Sequence, residues 1–392
     1  MDFDLVFVGG GLASVLASLL LLERKPSVRL ALVERGPALG GNHTWCFHAA
    51  DVPRSAVQVL APLIVQRWGG YQVHFPGRSR RLPSPYACIS SERLHHVASA
   101  RLSAAAGSAL LLNATAASIT SREVVLDDGR TLRGKLVVDA RGPTLHRLEE
   151  GEHAPQGYQK FVGLELEVEP HELAEPVMFD ARVPQRDGFR FMYVLPLAAD
   201  RVLVEETFFS DRPQLDLEQG ERAVLAYARE SGLSLRQVVR REQGVLPMPF
   251  QGRTFDAHAR PLEAGYGAGL FHPVTGYSLP YAVRFAEALA DSDLARLAHS
   301  PLVRFARAHA AQQPFLHFLT RLLFTCFAPE QRFSVLSHFY RLPEPVIERF
   351  YAAQLTGLDR ARIFLGAPPR GFSVLRALGH NARAHTEEAG AA

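Results

Sequence analysis

Residues 4–34 read DLVFVGGGLASVLASLLLLERKPSVRLALVE, and this stretch decides the fold. A short apolar strand runs into three glycines, an apolar helix begins at Leu12, and a second apolar strand ends in the acid Glu34. Strand, glycine turn, helix, strand and acid in this order are typical of a dinucleotide-binding βαβ unit. Ser14 stands at the third position of the glycine pattern, where glycine is usual. The sequence therefore predicts an α/β fold with a dinucleotide site at the N-terminus of its first helix.

The residues around this turn are the first expected cofactor contacts. Gly9 permits the tight turn, Gly11 lets the backbone approach a pyrophosphate, and Glu34 can accept hydrogen bonds from a ribose hydroxyl. The candidate cofactor-binding residues of the N-terminal segment are Gly9, Gly11, Leu12, Ala13, Glu34, Arg35, Gly41 and Asn42.

Two later glycine turns indicate which dinucleotide binds. Residues 136–142 read LVVDARG, and residues 269–280 read GLFHPVTGYSLP and lead into a helical pattern at 281–298. A turn that feeds a helix N-terminus offers backbone amides to a phosphate or a negatively charged ring. Three such turns resemble the FAD-contacting elements of flavoproteins of the glutathione-reductase and aromatic-hydroxylase type, whereas NAD proteins commonly show only the first. The sequence favours FAD, with further candidate contacts from Asp139, Gly142, Gly269, Pro273, Thr275, Gly276 and Tyr277.

Composition argues against several other classes of protein. The 392 residues are long enough for two domains, and a hydrophobic content of 47% with a net charge of +3 predicts a globular chain and no nucleic-acid partner. The three cysteines, Cys46, Cys88 and Cys326, are far apart, and the 16 histidines form no HExxH pattern. We therefore expect a reducing compartment and no metal site. The apolar run at 12–22 is shorter than the about 20 residues that cross a membrane, so it predicts a buried helix of a soluble or peripheral protein.

The pattern of the chain changes after residue 150. Alternating and apolar strands follow at 161–168, 189–197 and 201–209, and a charged stretch at 217–241 is expected to be helical. We predict an FAD-binding Rossmann-like domain of the glutathione-reductase and aromatic-hydroxylase type, an inserted β-sheet domain for the substrate, and C-terminal helices. The expected divisions are 1–60, 88–150 and 255–300 for the discontinuous FAD domain, 61–87 and 151–254 for the substrate domain, and 301–392 for the C-terminal helical region.

The most apolar part of the last region is PFLHFLTRLLFTCF at 314–327. Apolar residues recur there at helical spacing, namely Phe315, Phe318, Leu319, Leu322, Leu323 and Cys326. Two interpretations stay open: a helix of the core, or a wide apolar face that dips into a membrane without crossing it.

Residues 202–209, VLVEETFF, carry two adjacent acids in an apolar strand. Burying an ionised carboxylate is costly unless the group is paired or takes up a proton. Because successive side chains on a strand point to opposite faces, we expect Glu205 and Glu206 on different faces of a sheet. A carboxyl group in an apolar pocket has a raised pKa and can act as a general acid.

Eight motifs lie along almost the whole chain: VGGGLAS (8–14), GGNHTW (40–45), VVDARG (137–142), YQKFVG (158–163), LVEET (203–207), GVLPM (244–248), GLFHPVTGYSLP (269–280) and RFYAAQLTGLDRARIF (349–364). They resemble those of the bacterial lycopene β-cyclases of carotenoid biosynthesis, and GGNHTW with FHPVTGYSLP is highly specific. The chain departs from the pattern at Ser14, and its acidic pair is Glu-Glu where relatives can carry Glu-Asp.

The resemblance implies a reaction and a site. Members of that family convert the linear ends of lycopene into β-ionone rings, giving β-carotene via γ-carotene, by protonating a terminal olefin without net redox change. Glu205 is then the expected general acid, and Glu206 is the other candidate acid or a salt-bridged structural partner. The implied cofactor is reduced FAD, which stabilises the cation, with NAD(P)H as its electron source.

The expected partners are lycopene and related linear carotenoids. Peripheral association with the inner, cytoplasmic face of the plasma membrane is also expected, whereas the sequence does not indicate an oligomeric state. Two other functions stay open. An FAD-dependent monooxygenase or dehydrogenase of an isoprenoid would consume NAD(P)H and change the mass of its substrate. A non-catalytic isoprenoid-binding flavoprotein would bind without turnover.

Overall fold

The structure is a computed structural model and describes residues 2–142, 156–293 and 300–376. The strands of these residues are β1 (Phe3–Val8), β2 (Leu30–Val33), β3 (Thr44–His48), β4 (Ile64–Trp68), β5 (Tyr71–Phe75), β6 (Arg78–Leu82), β7 (Tyr86–Ser90), β8 (Ala109–Leu111), β9 (Ala116–Ile119), β10 (Glu123–Leu126), β11 (Thr131–Asp139), β12 (Gln156–Val168), β13 (Val177–Asp180), β14 (Phe189–Ala198), β15 (Arg201–Ser210), β16 (Leu235–Pro249) and β17 (Leu262–Glu263). Their α-helices are α1 (Leu12–Arg24), α2 (Val57–Leu60), α3 (Ser91–Ala104), α4 (Leu217–Glu230), α5 (Leu279–Ala290), α6 (Pro301–Thr325), α7 (Phe333–Phe339), α8 (Glu344–Tyr351) and α9 (Gly357–Phe364).

The N-terminal residues form the predicted βαβ unit. Strand β1 pairs in parallel with β2 and with β11, and the buried helix α1 connects β1 to β2. The sheet runs in the order β8-β2-β1-β11-β10-β9, with β17 also paired to β11. Gly9 has a φ of 103°, and a Cβ there would lie 2.5 Å from the carbonyl oxygen of Ala140. Glycine is therefore required where the first turn meets the turn after β11.

A second sheet has the order β16-β12-β15-β14-β13-β5-β6. Strand β12 pairs antiparallel with both β15 and β16, and β5 and β6 bring residues 71–82 to its other edge. A three-stranded sheet of β3, β7 and β4 completes the β-structure of the described residues. The mixed α/β class is confirmed, whereas the division into domains stays a prediction.

The stretch at 217–241 is only partly helical, so that prediction was wrong for its second half. Helix α4 ends at Glu230, and Gly232 follows with a φ of 79°, a left-handed conformation that suits a glycine after a helix. Strand β16 begins at Leu235 and pairs with β12 along its length. Charged residues suit both a solvated helix and a solvent-facing strand, and the pairing with β12 decides between them.

Helix α6 contains most of the apolar stretch 314–327. Leu316, Leu323 and Phe324 are buried, as the core interpretation requires, while Phe318 is 38% exposed. Within the described ranges, no helix is long and apolar enough to cross a membrane. The helical pattern expected at 281–298 corresponds to α5. Residues 294–298 of that pattern lie outside the described residues, and so do residues 143–155 and 377–392 of the expected domains.

Candidate active site

A cavity of about 670 Å³ is lined by residues of both large sheets. It brings together the three glycine turns, which are far apart in the sequence, with one acid of the VLVEETFF strand. The predicted site residues that line it are Gly9, Gly11, Leu12, Ala13, Glu34, Arg35, Gly41, Gly142, Glu205, Thr275, Gly276 and Tyr277.

The glycine turns leave space for a ligand. A Cβ at Gly11, Gly41 or Gly142 would meet no protein atom within 4 Å, so each turn presents bare backbone to the cavity. Gly11 precedes α1 and no side chain caps this helix, which leaves its first amides available to an anion. Ser14, at the third glycine position, donates its hydroxyl to the carbonyl oxygens of Gly9 and Gly11. The serine at this position therefore stabilises the turn.

Three buried polar atoms of the cavity wall lack a hydrogen-bond partner. They are Nδ1 of His48, Oε1 of Gln159 and Oγ1 of Thr275, and all three residues line the cavity. Buried polar groups are normally paired, so unpaired ones indicate a polar ligand. Glu34 accepts hydrogen bonds from the amides of Gly10 and Gly36, each at 2.7 Å, which fixes its carboxylate beside the turn. These features fit a dinucleotide cofactor such as FAD.

Five predicted site residues do not line the cavity. Asp139 pairs with Arg141, and Asn42 contacts the strand β16 through Arg240 and Arg241. Gly269 has a left-handed backbone, at which a Cβ would lie 2.6 Å from the carbonyl oxygen of Arg253. The other two are Pro273, which is buried, and Glu206. Residues adjacent in the chain to Asn42, Asp139, Glu206 and Gly269 line the cavity, and the lining residue nearest to Pro273 is Thr275.

Glu205 lies on β15 between β12 and β14, with its carboxyl group towards the cavity. The side chain is half-buried because it opens onto the cavity, and Leu203 and Phe209 on the same face are buried. The hydroxyl of Thr207 donates a hydrogen bond to it. Burial, and then the neighbouring carboxylate of Glu242, raise the pKa of Glu205 to about 8. Glu205 therefore keeps its proton at neutral pH.

Glu206 occupies the opposite face of the same strand. Its Oε1 accepts from Arg190 Nε at 2.5 Å and from Arg186 Nη2 at 3.1 Å, and the residue is 1% exposed. Val204 and Val202 on that face pack in a separate apolar cluster with residues of α4. Glu206 is thus an ion-paired carboxylate inside the fold.

Sequence reasoning missed Glu242, a buried acid of β16 that lines the same cavity. It stands among charged residues, VVRREQG, and only the pairing of β16 with β12 brings it next to the site. Tyr193, opposite Glu205 on β14, was also missed; its hydroxyl lies 3.0 Å from that of Tyr86. In the described part of the chain, no cluster of His, Cys, Asp and Glu is arranged to hold a metal ion.

Comparison with solved structures shows the fold of FAD-dependent enzymes. A probable FAD-dependent monooxygenase from Pseudomonas aeruginosa superposes with a TM-score of 0.60 at 16% identity, covering 84% of this chain and 97% of that chain. A geranylgeranyl bacteriochlorophyll reductase-like protein from Thermoplasma acidophilum gives a TM-score of 0.61 at 11% identity, covering 92% and 95%. The predicted Rossmann-like fold is therefore confirmed.

Comparison of sequences shows the family. The lycopene β-cyclase of Pantoea ananas is 40% identical over 382 residues, which are 96% of this chain and 97% of that protein. The enzyme of the same name from Pseudescherichia vulneris is 41% identical over 93% of this chain and 94% of its own length. The family model described as lycopene cyclase protein matches residues 4–377. By these matches, and by the motifs that line its cavity, the chain belongs to the lycopene cyclase family.

Proposed function

We propose that this protein is a lycopene β-cyclase, which converts the linear ends of lycopene into β-ionone rings without net oxidation or reduction. The observation that carries the proposal is Glu205, a carboxyl group with a pKa of about 8 that opens onto the cavity lined by the glycine turns. An alkene is a very weak base, so its protonation needs an acid that is neutral and shielded from water. Membership of the lycopene cyclase family supports the same reaction.

Glu205 starts the reaction by donating its proton to C2 of a terminal double bond, which leaves a tertiary cation at C1. The C5=C6 double bond then forms the C1–C6 bond, and loss of the proton on C6 restores a C5=C6 double bond. Phe161, Phe191 and Tyr193 line the cavity, and their rings stabilise a nearby cation. Substrate and product are isomers, so the reaction consumes no electrons.

FAD is the proposed cofactor, in its reduced form and with NAD(P)H as the electron source. The reduced ring would supply negative charge that stabilises a cation in the pocket. The amides at the N-terminus of α1 would hold the pyrophosphate, and Glu34 would accept hydrogen bonds from the ribose. Gln159 and Thr275 would offer their unpaired oxygens to polar groups of the same cofactor.

The experiment that tests the reaction supplies lycopene and chemically reduced FAD to the purified protein without oxygen. We expect a cyclic product with the mass of lycopene and a flavin that remains reduced. A product of altered mass, formed with stoichiometric use of NAD(P)H, would instead identify a monooxygenase or dehydrogenase. Binding of lycopene without product would identify a carrier, and full turnover with oxidised FAD alone would contradict the role of the reduced flavin.

The cofactor site is tested by flavin retention in the Gly11→Val variant. A side chain at Gly11 projects into open cavity, so the variant is expected to fold and to lose bound flavin. The matched control is Gly69→Val, because a Cβ at Gly69 also meets nothing within 4 Å and Gly69 does not line the cavity. Full flavin occupancy in folded Gly11→Val would refute the assignment.

We also propose that the protein binds the cytoplasmic face of the membrane in which its substrate dissolves. Support comes from exposed apolar residues of α6, of α9 and of the position directly after α9: Phe318, Leu358, Phe364 and Leu365 are 38%, 84%, 51% and 70% exposed. The ring of Phe364 contacts that of Phe318 at a centroid distance of 6.0 Å, and Arg321 lies over Phe318. Exposed apolar side chains next to cations suit a surface of anionic lipids.

Flotation with vesicles that contain phosphatidylglycerol tests this surface. Leu365→Asp is expected to weaken vesicle binding strongly, because it puts a charge where an apolar side chain would enter the lipid. Leu235→Asp is the control, since Leu235 is 46% exposed on β16 and outside this surface. Equal binding by the two variants would contradict docking through α9.

A further inference from the structure

Two acids of the large sheet, the half-buried Glu205 and the buried Glu242, flank one glycine. Gly163 of β12 is aligned with Glu205 on β15 and with Glu242 on β16, so the three residues form one row across neighbouring strands. Aligned residues of paired strands project from the same face of a sheet. The central residue of the row has no side chain, and the acids on either side can lean towards each other above it.

The space above Gly163 shows how close the two acids come. A Cβ on Gly163 would lie 2.9 Å from Cγ and 3.4 Å from Oε1 of Glu242, and 3.5 Å from Cγ of Glu205. Both side chains therefore occupy the space that any larger residue at 163 would need. Both also line the cavity, so a substrate that reaches one carboxyl group meets the other.

Their other contacts give the two acids different charges. Oε2 of Glu242 accepts from Arg240 Nη1 at 2.8 Å and from Thr44 Oγ1 at 3.0 Å, and the side chain is 3% exposed. Glu205 accepts from the uncharged hydroxyl of Thr207. An arginine stabilises the ionised form of the acid it contacts, so Glu242 carries the negative charge.

A negative charge beside Glu205 opposes its ionisation. Two carboxyl groups that share a low-dielectric site cannot both ionise at low cost, and the proton stays on the one without a cationic partner. Burial raises the pKa of Glu242 as well, and Arg240 and Thr44 act against that effect. The titratable and polar groups that face the pair are Tyr193 on β14, Thr207 on β15, His43 and Cys46 around the start of β3, Arg240 on β16 and Glu165 on β12.

We propose that Glu242 is the second carboxyl group of the cyclisation: its charge keeps the proton on Glu205, and it accepts the proton that leaves C6. This inference rests on the proposed function. Glu205 gives its proton to C2, ring closure forms the C1–C6 bond, and the C6–H electrons become the new double bond while that proton moves to Oε1 of Glu242. Transfer of the proton from Glu242 to Glu205 across Gly163 restores both groups. No oxidant or reductant is consumed.

The first test follows the protonation of Glu205 in the flavin-free protein, without any turnover. Infrared spectra recorded against pH should contain a protonated-carboxyl band that titrates in wild type and is absent in Glu205→Gln. In Glu242→Gln, this band should titrate about one pH unit or more lower, because the neighbouring charge is gone. An unchanged titration of Glu205 would overturn the proposal, whatever the activity of the protein.

The second test measures turnover at equal flavin occupancy. Glu242→Gln should lose on the order of 10²-fold in cyclisation, Glu242→Asp should recover part of it, and the alkaline limb of the pH–rate profile should move to lower pH in Glu242→Gln. The matched control is Glu165→Gln, which removes another carboxylate bound to Arg240 but leaves Glu242 in place. An equal loss and an equal pH shift in the control would reduce Glu242 to a structural partner of Arg240 and overturn the proposal.

A third variant covers the case in which Glu242→Gln does not fold. Gly163→Ala inserts a methyl group between the acids and pushes them apart, so the titration of Glu205 should again move to lower pH. Wild-type titration and turnover in folded Gly163→Ala would overturn the proposal. Failure of the proposed function is distinguishable, because an active Glu205→Gln would refute the general acid while the infrared titration could still show the coupled pair.

Discussion

The neighbouring carboxyl groups of Glu205 and Glu206, on opposite faces of strand β15, have opposite electrostatic surroundings. Glu206 is 1% exposed and lies within 3.1 Å of two arginines, Arg190 and Arg186. Glu205 faces the cavity, where a hydroxyl and the carboxylate of Glu242 act on it. Burial raises the pKa of Glu205 first, and the neighbouring carboxylate of Glu242 raises it further. The nearest neighbours therefore differ between the two faces: Glu206 is ion-paired with two arginines, whereas the anion next to Glu205 favours its protonated, reactive form.

The two faces of β15 also differ in how they are packed. The face of Glu206 is covered by α4, and its apolar residues pack in a cluster that includes Val204 and Val224. The face of Glu205 opens onto a cavity of about 670 Å³ with aromatic walls. One face of strand β15 therefore belongs to the hydrophobic core and the other to the cavity. We expect substitutions on the first face to reduce stability and substitutions on the second to reduce activity.

The largest expected effect comes from Glu205→Gln, which keeps the size of the side chain and removes the transferable proton. Cyclisation of lycopene should fall by about 10²–10⁴-fold, the usual contribution of general acid catalysis, with flavin retention unchanged. Glu205→Asp should retain part of the activity, because the acid is present but withdrawn by one methylene. Product formation at equal flavin occupancy is the measurement. Near wild-type turnover of Glu205→Gln would show that the proton comes from another group.

The complementary change, Glu206→Gln, should damage stability rather than chemistry. It leaves Arg190, which is 7% exposed, without its charge partner, and breaking a buried ion pair from one side costs about 3–5 kcal/mol. Denaturant unfolding should report the loss, while turnover per folded, flavin-loaded molecule stays near wild type. An inactive but fully stable Glu206→Gln, with an active Glu205→Gln, would reverse the assignment of the two faces.

The sequence predicts that Glu205 and Glu206 lie on different faces, whereas the charged neighbours of Glu205 become visible only in the pairing of the strands. The βαβ unit and the separation of Glu205 from Glu206 depend on neighbours in the chain, so the alternation of a strand was enough to expect them. Glu242 directly follows the charged stretch 217–241, for which the sequence predicts a helix. Only the register of β16 against β12 shows that Glu242 faces Glu205. Asn42 and Asp139 are expected at the cofactor because they adjoin the glycine turns, yet Asn42 contacts Arg240, Asp139 pairs with Arg141, and neither Asn42 nor Asp139 lines the cavity.

The last expected effect is a pH dependence of stability that arises from the raised pKa of Glu205. In the folded state the pKa of Glu205 is raised to about 8, whereas the unfolded chain releases the proton near the ordinary value of 4.5. The unfolded state therefore binds fewer protons between these two pH values, and the stability of the wild type decreases there as pH rises. Glu205→Gln lacks this contribution. The melting temperature of the variant minus that of the wild type should therefore increase with pH between about pH 4.5 and 8, and should be constant below and above that range. Flavin-free protein should be used, since ligand binding would add its own pH dependence. A difference that stays constant from pH 4.5 to 8 would mean that Glu205 ionises in the folded protein as it does in water, and the contrast between the two faces of β15 would then lose its electrostatic basis.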